Sequence, residues 1–158
     1  MMKKTISILG STGSIGLNTF KIIDKKKNHF QINLLSANKN FKLISKQIKN
    51  YKPKFFIVND EIIFKKVFNR FKKSNTMILN SFEKININKI SHITISAIPG
   101  IAGLKPTILM TKKSKKILIA NKESIICGWN LIKNAAIKNK TKIKIGRAHV
   151  WTPVTTRS

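Results

Sequence analysis

Apolar and polar positions along the chain fall into two alternating patterns. Short runs of largely apolar residues, bounded by Gly, Pro, Asn or Asp, are typical of strands buried inside a sheet. Between them, apolar residues recur three and four positions apart, which is the spacing of one helix face. The runs predict strands at Thr5–Leu9, Gln31–Ala37, Lys54–Val58, Thr76–Leu79, His92–Ala97, Lys116–Ala120 and Lys142–Ile145. The helical spacing predicts helices at Ile15–Asp24, Phe41–Asn50, Glu61–Lys73, Leu104–Lys113 and Asn130–Lys138.

Strands and helices alternate through this predicted order. The alternation is typical of a parallel sheet whose strands are joined by right-handed crossovers. A chain of 158 residues has room for one ordinary domain with its own core. We therefore expect an α/β fold with a doubly wound, mainly parallel sheet and helices on both faces.

The stretch ILGSTGSIG, residues 8–16, joins the first predicted strand to the first helix. Its three glycines, at positions 10, 13 and 16, permit a tight turn and let backbone N–H groups approach a pyrophosphate at the positive end of the helix. The hydroxyls of Thr12 and Ser14 add two donors. The spacing GxxGxxG differs from the usual GxGxxG, so the assignment of a dinucleotide site depends mainly on the motif's position between a strand and a helix. The motif favours a Rossmann-like dinucleotide site, and a turn whose glycines serve packing alone is the alternative.

The second predicted strand ends in SANKN, residues 36–40. Chains that bind NAD usually place Asp or Glu here, on the ribose hydroxyls. This chain offers Asn38, Lys39 and Asn40 instead. A lysine between two amides suits a 2′-phosphate, which a carboxylate would repel, so the residues favour NADP over NAD. The alternative is that Lys39 is merely one of many lysines.

Two further loops follow predicted strands at the same edge of the sheet. AIPGIAGLKPT, residues 97–107, contains Gly100 and Gly103, which either line the path of the cofactor or form a plain turn. ANKES, residues 120–124, places polar residues where open α/β sheets bind ligands. Glu123 is one of five acidic residues in the chain, and Lys122 lies beside it. The alternative for ANKES is a capped helix start with Asn121 as the N-cap.

The formal net charge of +27, from 32 basic and 5 acidic residues, suggests a nucleic-acid partner. The lysines are spread over the whole chain, however, and few aromatic residues alternate with them as stacking platforms. Lys, Ile and Asn are abundant together, which is typical of codon bias in a genome rich in A and T. We therefore interpret the charge as compositional bias on solvated faces and expect no nucleic-acid partner.

Several other classes of protein are also disfavoured by the sequence. No apolar run approaches the ~20 residues of a membrane-spanning helix, and no signal peptide is evident. The single Cys127 allows no internal disulfide, and the acidic residues are too scattered to form a metal site. We expect a cytoplasmic protein with no membrane partner.

In this order and spacing, GSTGSIG, SANKN, GIAGLKPT and ANKES closely resemble the 1-deoxy-D-xylulose 5-phosphate reductoisomerase family, from about Lys4 to about Lys144. The resemblance implies an enzyme that uses NADPH and a divalent metal, Mg or Mn. It implies the conversion of 1-deoxy-D-xylulose 5-phosphate, a phosphorylated sugar, to 2-C-methyl-D-erythritol 4-phosphate in isoprenoid precursor synthesis. It also implies a homodimer for the full-length enzyme.

The resemblance assigns roles to individual residues. The pyrophosphate loop is matched by Thr12, Gly13, Ser14 and Ile15. The contacts to the 2′-phosphate and adenosine are matched by Asn38, Lys39 and Asn40. The cofactor contacts near the nicotinamide are matched by Asn121 and Glu123, and a substrate contact by Lys122.

The composition changes abruptly after Lys144. The chain has 29 lysines, all within residues 1–144, whereas residues 145–158 contain no lysine, asparagine or acid. The family's PVDSEH-like metal motif is expected within a few residues of Ile145, where this chain has IGRAHVWTPVT. That stretch resembles a translated sequencing adapter, with a stop codon read as Trp151. A genuine but divergent C-terminus is the alternative.

We therefore expect residues 1–144 to be an NADPH-binding domain that is incomplete at its C-terminal end, and residues 145–158 to be a non-native tail. The catalytic and C-terminal domains would be absent, with no catalytic or metal-binding residues, so the chain would be inactive alone. Two other functions stay open. One is another NADP-dependent oxidoreductase with the same nucleotide fold, and the other is a basic nucleic-acid-binding protein.

Overall fold

The computed structural model describes residues 2–86, 88–146 and 151–154. Eight strands are β1 (Lys4–Leu9), β2 (Phe30–Ala37), β3 (Phe55–Val58), β4 (Met77–Leu79), β5 (Ser91–Ser96), β6 (Ser114–Ile119), β7 (Lys142–Gly146) and β8 (Trp151–Val154). Five α-helices are α1 (Ser14–Lys25), α2 (Phe41–Tyr51), α3 (Glu61–Phe71), α4 (Leu104–Met110) and α5 (Lys122–Lys138). Single 3₁₀ turns lie at Phe82–Lys84 and Ile101–Gly103.

The strands form one sheet in the order β4-β3-β2-β1-β5-β6-β7-β8. Every pairing from β4 across to β7 is parallel, and β8 pairs antiparallel with β7. The chain therefore winds outward from β1 in one direction and, beginning with β5, in the other. The order reverses between β1 and β5, and in open α/β sheets ligands bind outside the carboxyl ends of the strands at such a point.

Helices cover both faces of the sheet, because neighbouring residues of each central strand point to opposite sides. Leu35 and Phe56 belong to one buried cluster with residues of α1, α2 and α3. Leu34 and Phe55 belong to a second cluster with residues of α4 and α5. The predicted doubly wound α/β fold, with a mainly parallel sheet and helices on both faces, is confirmed.

The largest departure from the predicted elements is α5, which begins eight residues before the predicted helix Asn130–Lys138. Asn121 caps it by accepting hydrogen bonds from the N–H groups of Glu123 and Ser124 at 2.8 and 3.3 Å. Gly128 has φ −141° and ψ 22° and kinks the helix, which obscures its apolar period. A Cβ atom on Gly128 would lie only 2.3 Å from a δ-carbon of Leu104, so the absence of a side chain there allows α4 to pack closely against α5.

Strand β8 was not predicted, and it lies in the segment set apart by composition. No helix in residues 2–86 or 88–146 combines the length and the apolar character needed to cross a membrane.

The ammonium group of Lys89 lies at the corner of the fold where β6 and β7 begin and bonds to the chain around it. Lys89 has a positive φ of 52°. Its Nζ lies 3.1, 2.7 and 2.8 Å from the carbonyl oxygens of Thr111, Ser114 and Asn139, and 2.8 Å from Oγ1 of Thr141. The ammonium thus connects three chain segments, two of which are also joined by the hydrogen bond from Nδ2 of Asn139 to Oγ1 of Thr111.

Tyr51, at the end of α2, is hydrogen-bonded to α1. Its hydroxyl lies 3.0 Å from each carboxylate oxygen of Asp24 and donates to that carboxylate, and its ring stacks on Phe20 at a centroid distance of 4.4 Å. Burial, followed by the hydrogen bond to Asp24 and the charge of Asp24, raises the pKa of Tyr51 to about 12. The phenol is neutral in the folded chain at a pH where a free tyrosine, with a pKa of about 10, is ionised.

This difference can be measured directly, because Tyr51 is the only tyrosine in the chain. Absorbance at 295 nm should titrate with a midpoint near 12 in the folded protein and near 10 in denaturant. The raised pKa stabilises the fold fully below about pH 10, and this stabilisation is lost as the pH rises through the folded value. Asp24→Asn should lower the folded midpoint, and equal midpoints in the folded and denatured wild type would contradict the assignment.

Candidate functional site

Two adjoining cavities form a groove along the carboxyl edge of the sheet. The β2-side cavity, of about 470 Å³, is lined by Gly10, Thr12, Gly13, Ser36, Ala37, Asn38, Asn59, Ile98, Pro99 and Ala102. The β6-side cavity, of about 580 Å³, is lined by Gly13, Ser14, Ile15, Ala97, Ile98, Pro99, Ala120, Asn121, Lys122, Glu123 and Gly146. Gly13, Ile98 and Pro99 line both, so the turn after β1 and the loop after β5 separate the two halves of one groove.

The turn after β1 requires glycine at two positions. Gly10 has a positive φ of 81°, and a Cβ atom there would lie 2.7 Å from the carbonyl oxygen of Ala97. A Cβ atom on Gly16 would lie 2.5 Å from the carbonyl oxygen of Gly10. These contacts bring the start of α1 against the ends of β1 and β5. Gly13 has no comparable restriction, since a Cβ atom there would lie 3.6 Å from its nearest neighbour.

The first turn of α1 presents free N–H groups to the groove. Gly13 is the N-cap and supplies no side-chain cap, and the first intrahelical bond runs from the N–H of Leu17 to the carbonyl of Gly13. The N–H groups of Ser14 and Ile15 therefore have no intrahelical acceptor. Gly13, Ser14 and Ile15 are exposed. Free donors at the positive end of a helix dipole favour an anion.

The segment after β2 lies at the outer end of the groove. Asn38, Lys39 and Asn40 are exposed, and Asn38 lines the β2-side cavity. Oδ1 of Asn40 accepts from the N–H of Leu43 at 3.1 Å and caps α2. The two ion pairs found among the described residues, Lys65–Glu61 and Lys105–Glu83, do not involve Lys39. The ammonium of Lys39 is therefore available to an anion.

Asn121 connects two loops rather than pointing an unused amide into the groove. Besides capping α5, its Nδ2 donates to the carbonyl of Ile98 and, at 2.7 Å, to that of Gly100. Both oxygen lone pairs and both amide protons are occupied, and the residue is only 5% exposed. The capped helix start, one of the two interpretations of ANKES, is what the structure contains. A direct side-chain contact from Asn121 to a ligand would displace one of these bonds.

Lys122 and Glu123 follow Asn121 on the wall of the β6-side cavity. Lys122 is exposed and Glu123 is half-buried. Their position at the start of α5 places one cation and one carboxylate at the opposite end of the groove from Asn38, whereas Lys39 and Asn40 line neither cavity. Among the described residues, no three His, Cys, Asp or Glu side chains converge as metal ligands would.

Sequence reasoning missed Asn59, which lines the β2-side cavity beside Asn38. It follows β3 directly, and its N–H lies 3.4 Å from the carbonyl of Ala37. Asn59 could have been found by the pattern that indicated SANKN, which is a polar residue at the carboxyl end of a parallel strand.

The sequence profile of 1-deoxy-D-xylulose 5-phosphate reductoisomerase matches residues 6–128. The chain belongs to the 1-deoxy-D-xylulose 5-phosphate reductoisomerase family. The reductoisomerase of Pelagibacter ubique (strain HTCC1062) is 46% identical over 143 residues, which are 87% of this chain and 37% of that enzyme. The reductoisomerase of Proteus mirabilis (strain HI4320) is 36% identical over 146 residues, which are 89% of this chain and 36% of that enzyme.

Solved reductoisomerase structures share the fold. The Zymomonas mobilis reductoisomerase in complex with NADPH superposes with a TM-score of 0.81 at 27% identity, covering 91% of this chain and 38% of that one. A reductoisomerase in complex with magnesium gives a TM-score of 0.82 at 26% identity, covering 91% of this chain and 37% of that one. This chain thus spans little more than a third of the length of the reductoisomerases that it matches.

Gly16 is restricted by close backbone contacts and Gly13 is not, so substitutions at the two positions should have different effects. Gly16→Ala should destabilise the fold by about 1–3 kcal/mol, because the new methyl group would overlap the carbonyl of Gly10. Gly13→Ala is the matched control and should change stability much less. The free energy of unfolding in urea, followed by tryptophan fluorescence, compares the two. Equal effects from both substitutions would contradict the close approach at Gly16.

Proposed function

We propose that this chain binds NADPH in the groove, as the nucleotide-binding part of a 1-deoxy-D-xylulose 5-phosphate reductoisomerase. The observation that carries the proposal is the uncapped first turn of α1, which opens into the groove where the strand order reverses between β1 and β5. A dinucleotide laid along that groove would have its diphosphate at the free N–H groups. Its two ends would occupy the β2-side and β6-side cavities.

The roles of the residues around the β2-side cavity follow from their chemistry. Thr12, Gly13, Ser14 and Ile15 would hold the pyrophosphate through backbone N–H groups and hydroxyls. Lys39, between Asn38 and Asn40, would hold the 2′-phosphate and select NADPH over NADH. This assignment is supported by the exposure of all three residues after β2 and by the absence of a carboxylate among them.

The β6-side cavity would receive the nicotinamide end of the cofactor. When bound, NADPH supplies the hydride for the reduction. Glu123, on the wall of this cavity, would contact the ribose or the ring, and Asn121 would act by fixing the loop after β5 relative to the start of α5. Lys122 extends from the same turn and would contact the phosphorylated sugar substrate.

The complete reaction belongs to a longer protein. We propose that the full-length enzyme converts 1-deoxy-D-xylulose 5-phosphate to 2-C-methyl-D-erythritol 4-phosphate in isoprenoid precursor synthesis. It would do so as a homodimer that requires Mg²⁺ or Mn²⁺. The support is family membership together with solved relatives in complex with NADPH and with magnesium. The present chain, about a third of its relatives' length, would bind the cofactor without completing the reaction.

Lys39→Ala tests the proposed 2′-phosphate site. Loss of one charge-assisted contact should weaken NADPH binding about 10- to 100-fold. NADH, which has no 2′-phosphate, should be unaffected. Titration with each cofactor, followed by nicotinamide fluorescence at fixed salt, measures both affinities. Lys42→Ala, an exposed lysine of the first turn of α2, is the control for general charge. Equal weakening of NADPH and NADH would contradict the assignment.

We also propose that residues 145–158 are a non-native tail, because they contain no lysine, asparagine or acid, even though Ile145 and Gly146 end β7 and residues 151–154 pair with it as β8. Gly146 lines the β6-side cavity, so the cleanest truncation removes residues 147–158. The truncated chain should bind NADPH within about twofold of the full chain, measured by the same titration. A large loss of affinity would show that the tail contributes to the domain.

A further inference from the structure

One buried polar contact joins the turn after β1 to α2, and it lies outside the residues assigned to the cofactor. Oγ of Ser11 donates to Oε1 of Gln47 at 2.7 Å, and Nε2 of Gln47 donates to the carbonyl of Ser11 at 3.0 Å. Ser11 is fully buried and Gln47 is only 4% exposed. The reversed amide orientation would place two acceptors, Oε1 and the Ser11 carbonyl, against each other, so the pairing is fixed in one direction.

Ser11 is held from two sides. Its N–H donates to the carbonyl of Ser36 at 2.8 Å, and the N–H of Gly10 donates to the same carbonyl at 3.0 Å. Every polar group of Ser11 is thus bonded, either to the end of β2 or to α2. The following residue, Thr12, faces the groove. The orientation of the proposed pyrophosphate loop therefore depends on where β2 and α2 lie.

The same two partners enclose the proposed 2′-phosphate segment. Ser36 lies two residues before Asn38, and Gln47 lies two helical turns, or about 10 Å, beyond the N-cap Asn40. Ser11 is thus bonded to one residue of β2 that precedes the segment 38–40 and to one residue of α2 that follows it. The Ser11–Gln47 contact therefore links the turn that carries one proposed phosphate site to the helix that follows the other.

We propose that Gln47 is a positioning residue that sets the distance between the two phosphate sites and thereby favours a ligand that carries both phosphates at once. The inference rests on the proposed NADPH function. A dinucleotide with a 2′-phosphate gains from the fixed spacing because it is anchored at both points. A ligand anchored at one point gains little, since a displaced loop can adjust to it.

Gln47→Met provides the test, because methionine keeps the length of the side chain and removes both hydrogen-bonding groups. The matched control is Gln31→Met, at the only other glutamine of the chain, which is exposed on β2. Each full 158-residue chain is titrated by calorimetry with NADPH, NADH and 2′-AMP, at about 0.15 M salt so that non-specific attraction to a strongly basic protein is screened. Thermal unfolding confirms that each variant is folded at the titration temperature.

Gln47→Met should weaken NADPH binding about tenfold or more, the size expected when buried hydrogen-bonding groups lose their partner. Binding of 2′-AMP, which engages the 2′-phosphate site alone, should change by less than about twofold, and the preference for NADPH over NADH should shrink. Gln31→Met should bind all three ligands like the wild type. Lys39→Ala should differ by losing 2′-AMP binding as well. A purely structural role of Gln47 would lower the unfolding temperature without this difference between ligands.

The outcomes separate the inference from the function on which it rests. If the wild type does not prefer NADPH to NADH, the proposed function fails. If the wild type shows the preference and folded Gln47→Met retains it, or weakens all three ligands equally, only the inference fails. Should Gln47→Met not fold, Ser11→Ala removes one of the two bonds and should reduce NADPH binding selectively by a smaller factor, and an unchanged NADPH affinity in that variant overturns the inference.

Discussion

Three backbone segments meet at the turn after β1 with no space for a side chain between them. A Cβ atom on Gly10 would lie 2.7 Å from the carbonyl oxygen of Ala97, and one on Gly16 would lie 2.5 Å from the carbonyl oxygen of Gly10. This close approach holds the start of α1 over the point where the strand order reverses. The uncapped N–H groups of Ser14 and Ile15 consequently point into the groove rather than into the sheet. The remaining features of the candidate site are arranged around that turn.

The parts of the fold that could be predicted from the sequence are those that a local pattern determines. Buried strands such as Phe55–Val58 carry continuous apolar runs, and α2 shows a clear apolar face, so their positions were within a residue or two of the structure. The start of α5 was left open between two interpretations, because Gly128 interrupts the apolar period of the helix and Asn121 has the chemistry of either a cap or a ligand contact. Only the tertiary structure, which brings Ile98 and Gly100 against the Asn121 amide, distinguishes these uses.

In the candidate site, too, features set by a local pattern could be predicted, whereas contacts between distant residues could not. Glycine spacing and polar residues at strand ends are visible in short stretches of sequence. Thr12, Lys39 and Glu123 could therefore be proposed as cofactor-binding residues without a structure. The contact between Ser11 and Gln47 spans 36 positions and pairs two ordinary polar residues, so no local pattern marks it. Strand β8 was also unpredicted, because the composition of its segment had suggested no role in the sheet.

Lys89 differs from most lysines of this strongly basic chain, because its ammonium lies among backbone and hydroxyl oxygens. Four oxygens within 3.1 Å surround its ammonium, much as carbonyl and hydroxyl oxygens surround a bound potassium ion. The side chain acts as a tethered cation that joins three chain segments without a dissociable metal. Arginine cannot replace it there, since a planar guanidinium directs its donors into one plane, whereas these oxygens enclose a single point. Because acylation removes the positive charge of a lysine, modification of the exposed Lys89 would remove the cation that these oxygens share and open the corner between β6 and β7.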